Sequence, residues 1–126
     1  MSDLNKNELE VLRILWECGE LKPAGIQAQF GWVIENPTLR SVLVGLVDKE
    51  LATRRKQGKA FLYKAKARRR SQFQQWMRRM ADVFASGSTA DLILQLLRQE
   101  KLSTDEIAEL KRLAGENAAN PDQKNP

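Results

Sequence analysis

Apolar residues recur every three or four positions in six stretches of this chain, which is the spacing of amphipathic α-helices. Glycine, proline or a capping residue marks most of the boundaries between the stretches. Two helix starts carry a capping box, in which a short polar side chain and a glutamate three residues later bond each other's backbone. The six predicted helices cover residues 4–18, 24–30, 37–50, 66–85, 89–100 and 103–114.

Between the third and fourth helices the pattern changes to the period of two that is typical of β-strands. Residues 51–55 and 60–65 predict two short strands, and the turn between them contains Gly58, which accepts positive φ. Phe61 and Tyr63 are expected on one side of this hairpin. Three helices followed by a hairpin predict a winged helix-turn-helix, so the fold class is mainly α with a small β-hairpin wing.

Charge is distributed unevenly along the chain. The window from Arg54 to Arg79 contains eleven Lys or Arg residues and no Asp or Glu, whereas the net charge of the whole chain is only +5. A stretch of one sign repels itself and generally faces a partner of opposite charge. Because the window begins at the predicted wing, double-stranded DNA is the first candidate partner.

Two sets of side chains suit DNA in different ways. On the outer face of the third helix, which begins after an Asn36 cap, Arg40 can bond guanine bidentately, and its neighbours suit phosphates, base edges or a thymine methyl. Gly45 on the same face would allow close approach of the backbone to DNA. The cations of the hairpin would contact phosphates and supply affinity rather than sequence information. The candidate DNA-binding residues are Thr38, Arg40, Ser41, Val44, Arg54, Arg55, Lys56 and Lys59.

Each of these features has a simpler interpretation. The third helix alone is more typical of an ordinary solvated face, and basic residues also guard exposed edge strands against aggregation. Such guarding needs one or two charges rather than four of one sign. Arg68-Arg69-Arg70 at the start of the fourth helix fits either a phosphate contact or a solvated junction, since cations are mildly unfavourable at a helix N-terminus.

The fourth and fifth helices carry more apolar side chains than one buried face requires. The fifth is apolar around most of its circumference, so we expect it to be buried on more than one side. A chain of 126 residues builds a modest core and often gains stability by forming a homodimer. A ligand pocket is the other interpretation of the aromatic residues in the fourth helix. The predicted dimer-interface residues are Phe73, Trp76, Met77, Met80, Phe84, Leu92, Ile93, Leu96 and Leu97.

Composition argues against an enzyme. The chain has no histidine, which removes the usual general base, and its single cysteine, Cys18, excludes a disulfide framework or a cysteine-rich metal site within one chain. Cys18 is expected to be a small buried residue, and no cofactor or metal is expected. The charged N-terminus does not fit a signal peptide, and no apolar run approaches the ~20 residues of a membrane span, so we expect a cytoplasmic protein.

Four segments resemble the penicillinase-repressor family of winged-helix transcriptional repressors. They occur in the family's order and together span residues 4–113. They are LNKNELEVLRILW (4–16) at the opening, TLRS (38–41) in the recognition helix, KQGKAFLY (56–63) in the wing and LSTDEIAEL (102–110) in the C-terminal helix.

The resemblance implies a homodimeric repressor that binds a palindromic operator and, in antibiotic-responsive members, is released by a membrane sensor protease. The chain departs from the family pattern at several positions. Gln95-Leu96 stands where an Asn-Phe cleavage pair is usual, and the C-terminal cysteine cluster of copper-responsive relatives is missing. Gly45 replaces a common arginine, and Glu50 replaces a common turn glycine.

The sequence therefore predicts a winged helix-turn-helix DNA-binding domain over residues 1–66, a helical dimerisation domain over 67–116 and a disordered tail over 117–126. The predicted function is that of a sequence-specific transcriptional repressor that occludes its operator. Two alternatives remain open. One is a winged-helix module that binds an acidic protein or RNA, and the other is a small enzyme that works through carboxylates.

Overall fold

A computed structural model describes residues 4–119 of the chain. This part contains six helices and one antiparallel hairpin, and it divides into two compact units between Trp76 and Met77, within the fourth helix. The domain boundary predicted after residue 66 precedes that helix and stays a prediction. The elements are α1 (Lys6–Cys18), α2 (Pro23–Gln29), α3 (Asn36–Asp48), β1 (Ala52–Gln57), β2 (Ala60–Ala65), α4 (Arg69–Phe84), α5 (Thr89–Gln99) and α6 (Thr104–Ala119).

The core of the first unit is formed by the apolar faces of α1, α2 and α3, with the hairpin against one side. These faces come from the helical spacing of the apolar residues, as the sequence predicts. Burying seven large side chains completely removes a large apolar area from water, which is the main stabilising term for a unit of this size. The fully buried side chains are Val11, Leu12, Ile14, Ile26, Leu39, Leu43 and Leu46.

Both predicted capping boxes are present. The Asn5 side chain accepts a hydrogen bond from the Glu8 backbone at 2.8 Å, and the Glu8 carboxylate accepts one from the Asn5 backbone at 3.0 Å. The same reciprocal pair joins Ser103 and Glu106 at the start of α6. Gly19, with φ of 83°, ends α1 as predicted. These local signals therefore located the start of α1, the end of α1 and the start of α6 correctly.

The ends of α3 differ from the prediction by one or two residues. Glu35 occupies the N-cap position without a side-chain hydrogen bond, so the assignment of Asn36 as the cap is wrong. Asn36 is helical, and Pro37 follows it in the first turn, where no intrahelical N–H bond is required. At the other end, Glu50 has a φ of 62°. This is the left-handed conformation that favours glycine, which explains why glycine is common at this position in the family that the sequence resembles.

The hairpin pairs Ala52 with Ala65 at its base and Gln57 with Ala60 at its tip. A two-residue turn connects the strands, and Gly58 there has a φ of 62°, as the turn assignment requires. Two backbone hydrogen bonds between Leu21 and Tyr63, of 3.0 and 2.8 Å, attach the hairpin to the extended link between α1 and α2. The wing is therefore held by the same segment that connects the first two helices.

The second unit contains the C-terminal part of α4 together with α5 and α6. Its buried cluster is small and consists of Ala81, Ala85 and Leu92, with Met77 packed against it. The expectation that α5 is buried on more than one side is wrong for a single chain, since Leu92 is its one buried residue. α6 continues past Gly115 to Ala119, further than the sequence indicated. The remainder of the predicted tail, 120–126, lies outside the described residues.

Candidate nucleic-acid interface

The outer face of α3 is a continuous exposed surface, mostly polar, opposite the face that is buried in the core. Thr38, Arg40, Ser41 and Val44 are all exposed, while Leu39, Leu43 and Leu46 on the opposite face are completely buried. The exposed set follows from helical periodicity, because residues three and four positions apart share a face. Arg40 Nε lies 3.4 Å from Asn36 Oδ1 one turn earlier, a long contact that leaves its terminal nitrogens available. Exposed side chains of these types can bond base edges and phosphates of DNA.

Strand alternation separates the basic residues of the wing into two groups. Arg54 and Lys56 pair with Tyr63 and Phe61, so these four side chains project from one face of the hairpin. The guanidinium of Arg54 lies 4.5 Å from the centroid of the exposed Phe61 ring. A cation held over an aromatic face loses less freedom when it meets a phosphate than an unsupported one. Arg54 is therefore a preorganised cation on this face of the wing.

A cleft of about 480 Å³ connects the recognition helix to the wing. It is lined by Arg40 from α3 and by Lys59 and Phe61 from the hairpin, so these elements face the same side of the unit. Lys22, at the start of α2, lines the same cleft and was not identified from the sequence. Its position just before Pro23, at a helix N-terminus, is the signal that could have marked it. The lining contains three cations and no carboxylate.

Arg55 is placed differently from the other wing cations. It projects from the opposite face of β1 and makes a bidentate ion pair with Glu20, with N···O distances of 2.8 and 2.9 Å. The Arg55 hydrogen bonds hold the pKa of Glu20 below its ordinary value of 4.5. The positive charge of Arg55 is thus already offset by a neighbour. Its role in DNA binding stays a prediction, and the structure does not bring it together with Arg40 and Lys59.

Two buried carboxylates of α1 hold the helix-turn-helix in place. Glu8 accepts hydrogen bonds from Lys49 Nζ at 3.0 and 2.8 Å, which connects α1 to the end of α3. A Cβ at Gly45 would lie 3.4 Å from the same carboxylate, so Gly45 faces α1. Its assignment to the outer face is therefore wrong. Glu10 accepts hydrogen bonds from Arg13 and from the Gly31 backbone, at the loop that precedes α3.

Acid is expected to destabilise the protein partly through Glu10. Its hydrogen bonds with Arg13 and, secondarily, with the Gly31 N–H lower the pKa of this carboxyl below 4.5. A lowered pKa in the folded state means that the stabilisation is present above about pH 4.5 and is lost as the pH falls through the folded-state pKa. Glu10→Gln is expected to lower the free energy of unfolding at pH 7 by about 1–3 kcal/mol, and this difference should shrink at acid pH.

Urea unfolding at pH 7 and pH 3.5 measures both effects. Glu100→Gln is the matched control, because Glu100 is exposed at the end of α5 and its carboxylate accepts no hydrogen bond within the described residues. If Glu10→Gln and the wild type differed by the same free energy at both values of pH, the carboxylate charge of Glu10 would not contribute to stability.

The predicted dimer-interface residues fall into three groups. Leu92 is buried within its own unit, and Met77 packs against that cluster. Trp76 packs against the core of the winged-helix unit. The others are exposed on the single chain, two of them by more than half, and these are Phe73, Met80, Phe84, Ile93, Leu96 and Leu97. Their role in an interface stays a prediction.

Three further observations bear on other functional classes. No helix within residues 4–119 is long and apolar enough to cross a membrane. The same residues contain no group of three or more potential metal-ligating side chains. Cys18 is exposed at the end of α1, so the expectation that it is buried is wrong. Cys18 is the last residue of α1 and follows the buried residues of that helix, so it does not contact the core.

The fold of the chain resembles those of two solved proteins of low sequence identity. BpsR of Bordetella bronchiseptica, whose DNA binding is regulated by 6-hydroxynicotinic acid, is 18% identical with a TM-score of 0.51, over 94% of this chain and 77% of BpsR. RosR of H. salinarum is 16% identical with a TM-score of 0.50, over 93% of this chain and 96% of RosR. At such identities the likeness concerns the fold alone, and it agrees with the predicted winged helix-turn-helix.

At the level of sequence, no curated protein matches the chain. The model of the penicillinase repressor family, in contrast, matches residues 4–116. This match includes the helix-turn-helix, the hairpin and nearly all of the helices that follow. It also includes the four segments from which the sequence resemblance was identified. The chain therefore belongs to the penicillinase repressor family.

Proposed function

We propose that the protein is a homodimeric, sequence-specific DNA-binding repressor that occludes a palindromic operator. Membership of this family already makes it a winged-helix transcription regulator rather than an enzyme. The observation that carries the proposal is the cleft lined by both Arg40 and Lys59, because it aligns the exposed face of α3 with the wing. A duplex placed against this side would meet both elements at once.

In the proposed complex, α3 enters the major groove and the wing contacts the adjacent backbone. Arg40 is the side chain suited to guanine, while Thr38 and Ser41 suit base edges or phosphates. Lys56 and Lys59 contact phosphates, and Lys22 joins them at the N-terminus of α2. Sequence choice then depends on the weakly charged face of α3, and affinity depends on the cations around it.

Homodimerisation is supported by the apolar surface of the second unit. Five large apolar side chains on the consecutive helices α4 and α5 are exposed on the single chain. They are Met80, Phe84, Ile93, Leu96 and Leu97. A surface of this kind marks an interaction site rather than a face in contact with water. A second copy of the chain, related to the first by twofold symmetry, would bury this apolar surface. The same symmetry places the two recognition helices about 34 Å, or a multiple of that distance, apart on the duplex.

The release mechanism implied by the family resemblance is poorly matched by this chain. A sensor protease would have to cut at Gln95-Leu96, in the middle of α5. Gln95 donates hydrogen bonds to the Phe84 carbonyl at 3.1 Å and to Asp91 at 3.3 Å, so cleavage there requires local unfolding. Since the usual Asn-Phe pair is also missing, we propose that another inducing signal acts on this repressor.

Replacing Lys56 and Lys59 together by alanine tests the proposed function. We expect weaker binding to every duplex sequence and a less steep dependence of affinity on salt, because two phosphate contacts are lost. The slope of log K against log salt should change by about 0.9 for each contact, or about 1.8 in total. Fluorescence anisotropy with an operator and with random duplex DNA, over a range of salt, measures both quantities.

The matched control is Lys101→Ala with Lys111→Ala, two exposed lysines on the second unit. This pair should leave the salt slope unchanged. If the wild type retained no duplex DNA in a gel shift at low salt, the protein-binding or RNA-binding alternative would replace the proposal.

A further inference from the structure

A second cleft, of about 580 Å³, lies where α1 meets the first turns of α4. It is separate from the cleft between α3 and the wing, and its lining lies before the division between the two units. Its volume is within the range of typical small-molecule sites. The main lining residues are Leu9, Trp16, Arg69, Arg70, Phe73 and Trp76. We propose that this cleft binds a small aromatic carboxylate.

The aromatic side chains provide flat walls for a planar ring. Trp16 donates its indole N–H to the Ala67 carbonyl at 2.9 Å, so its polar atom is satisfied and its ring is fixed. Trp76 is partly buried against the winged-helix core. Phe73 is 62% exposed at the edge of the cleft, where an occupant would cover it. Aromatic rings prefer to pack on one another, so an aromatic ligand suits this lining better than an aliphatic one.

Two adjacent arginines give the cleft its positive charge, and the lining contains no Asp or Glu. Arg69 lies 3.5 Å from Glu17, but that carboxylate already makes a 2.8 Å bond with Arg13. Arg70 is exposed and makes no hydrogen bond or ion pair within residues 4–119. Guanidinium groups bind carboxylates bidentately, so the pair is suited to an anionic substituent on the ring.

The same residues are less suited to the other available occupants. Covering the cleft with an apolar helix of a second copy would bury the Arg70 guanidinium without a carboxylate partner, and Arg69 with only its 3.5 Å contact to Glu17, which is costly. A DNA phosphate would satisfy the arginines but would make no use of the aromatic walls. Phe73 and Trp76, which the sequence assigned to the dimer interface, are therefore assigned to this cleft. The site does not depend on the proposed DNA-binding function.

Isothermal titration of the full-length protein with 1-naphthoate tests the proposal. We expect saturable binding at least tenfold tighter than that of the neutral analogue 1-naphthalenemethanol. Arg70→Ala and Phe73→Ala should each weaken naphthoate binding at least fivefold. Arg79→Ala is the matched control, because Arg79 is exposed on the same helix but does not line the cleft. Phe73→Leu, which retains packing volume, should give intermediate binding if Phe73→Ala is poorly folded.

Four results would overturn the assignment. One is the absence of saturable heat at millimolar naphthoate, and another is equal binding of the neutral alcohol. The third is unchanged naphthoate binding by folded Arg70→Ala and Phe73→Ala. A shift from dimer to monomer in Phe73→Ala, without any response to naphthoate, would assign the cleft to a second copy instead.

Discussion

Replacing Ile93 and Leu97 by aspartate is expected to convert the proposed dimer to a monomer at micromolar concentration. The two residues are one turn apart on α5 and are 49% and 36% exposed on the single chain. Their replacement should therefore leave the fold of each unit intact. In a homodimer the symmetric interface would have to bury four new carboxylates among apolar side chains, which is unfavourable by several kcal/mol. Light scattering measures the mass, and circular dichroism verifies the helix content.

Operator binding should weaken in the same variant. A dimer holds two recognition helices at fixed spacing, so that binding of one half-site makes binding of the second effectively intramolecular. The monomer loses that advantage, by a factor on the order of 10²–10⁴. Arg98→Asp, which adds an aspartate at an exposed polar position of the same helix, should remain a dimer. A monomeric wild type at micromolar concentration would contradict the proposed interface.

Arg40→Ala is expected to reduce the discrimination among operator sequences rather than the general affinity for DNA. Arg40 is exposed on α3, and its terminal nitrogens are available to bond guanine O6 and N7 together. Losing both of these hydrogen bonds should decrease the preference for guanine at one base step by about 1–3 kcal/mol. Selection of bound sites from a randomised duplex library, followed by titration of single-base variants, identifies the affected position.

The wing variant provides the comparison for Arg40→Ala. Lys59 lines the same cleft but belongs to the hairpin, so Lys59→Ala should weaken binding to all sequences by a similar factor. A uniform loss in Arg40→Ala as well would mean that Arg40 contacts only phosphate. The two variants together therefore separate base recognition from backbone contact at neighbouring positions of one surface.

Much of the fold was predictable because its signals are local. Helical spacing of apolar residues determined which faces of α1, α2 and α3 are buried, and capping boxes located the starts of α1 and α6. The glycine at position 58 identified the turn of the hairpin. The errors also have local causes. Cys18 was expected inside because cysteine is commonly buried, but it lies at the end of α1, beyond the core.

The arrangement of charges could not be predicted in the same way. Arg55 and Lys56 are adjacent in the sequence, yet Arg55 is paired with Glu20, 35 positions away, while Lys56 lies on the other face. A count of the cations between Arg54 and Arg79 does not show which of them are paired with a carboxylate and which are not. Pairing depends on which distant residue folds next to each strand face, and no local periodicity encodes that.

The sequence by itself determined the order of helices and strands and the buried faces of the first three helices, and its motifs indicated the family. The elements and their buried faces follow from residue spacing and local conformational preference, whereas the family follows from the resemblance of four segments. Only the tertiary structure decided that Lys22, Arg40 and Lys59 share one cleft, that Glu8 faces Gly45 and Lys49, and that Trp16 meets the start of α4. These contacts join residues that are distant in sequence, and packing of the core places them together.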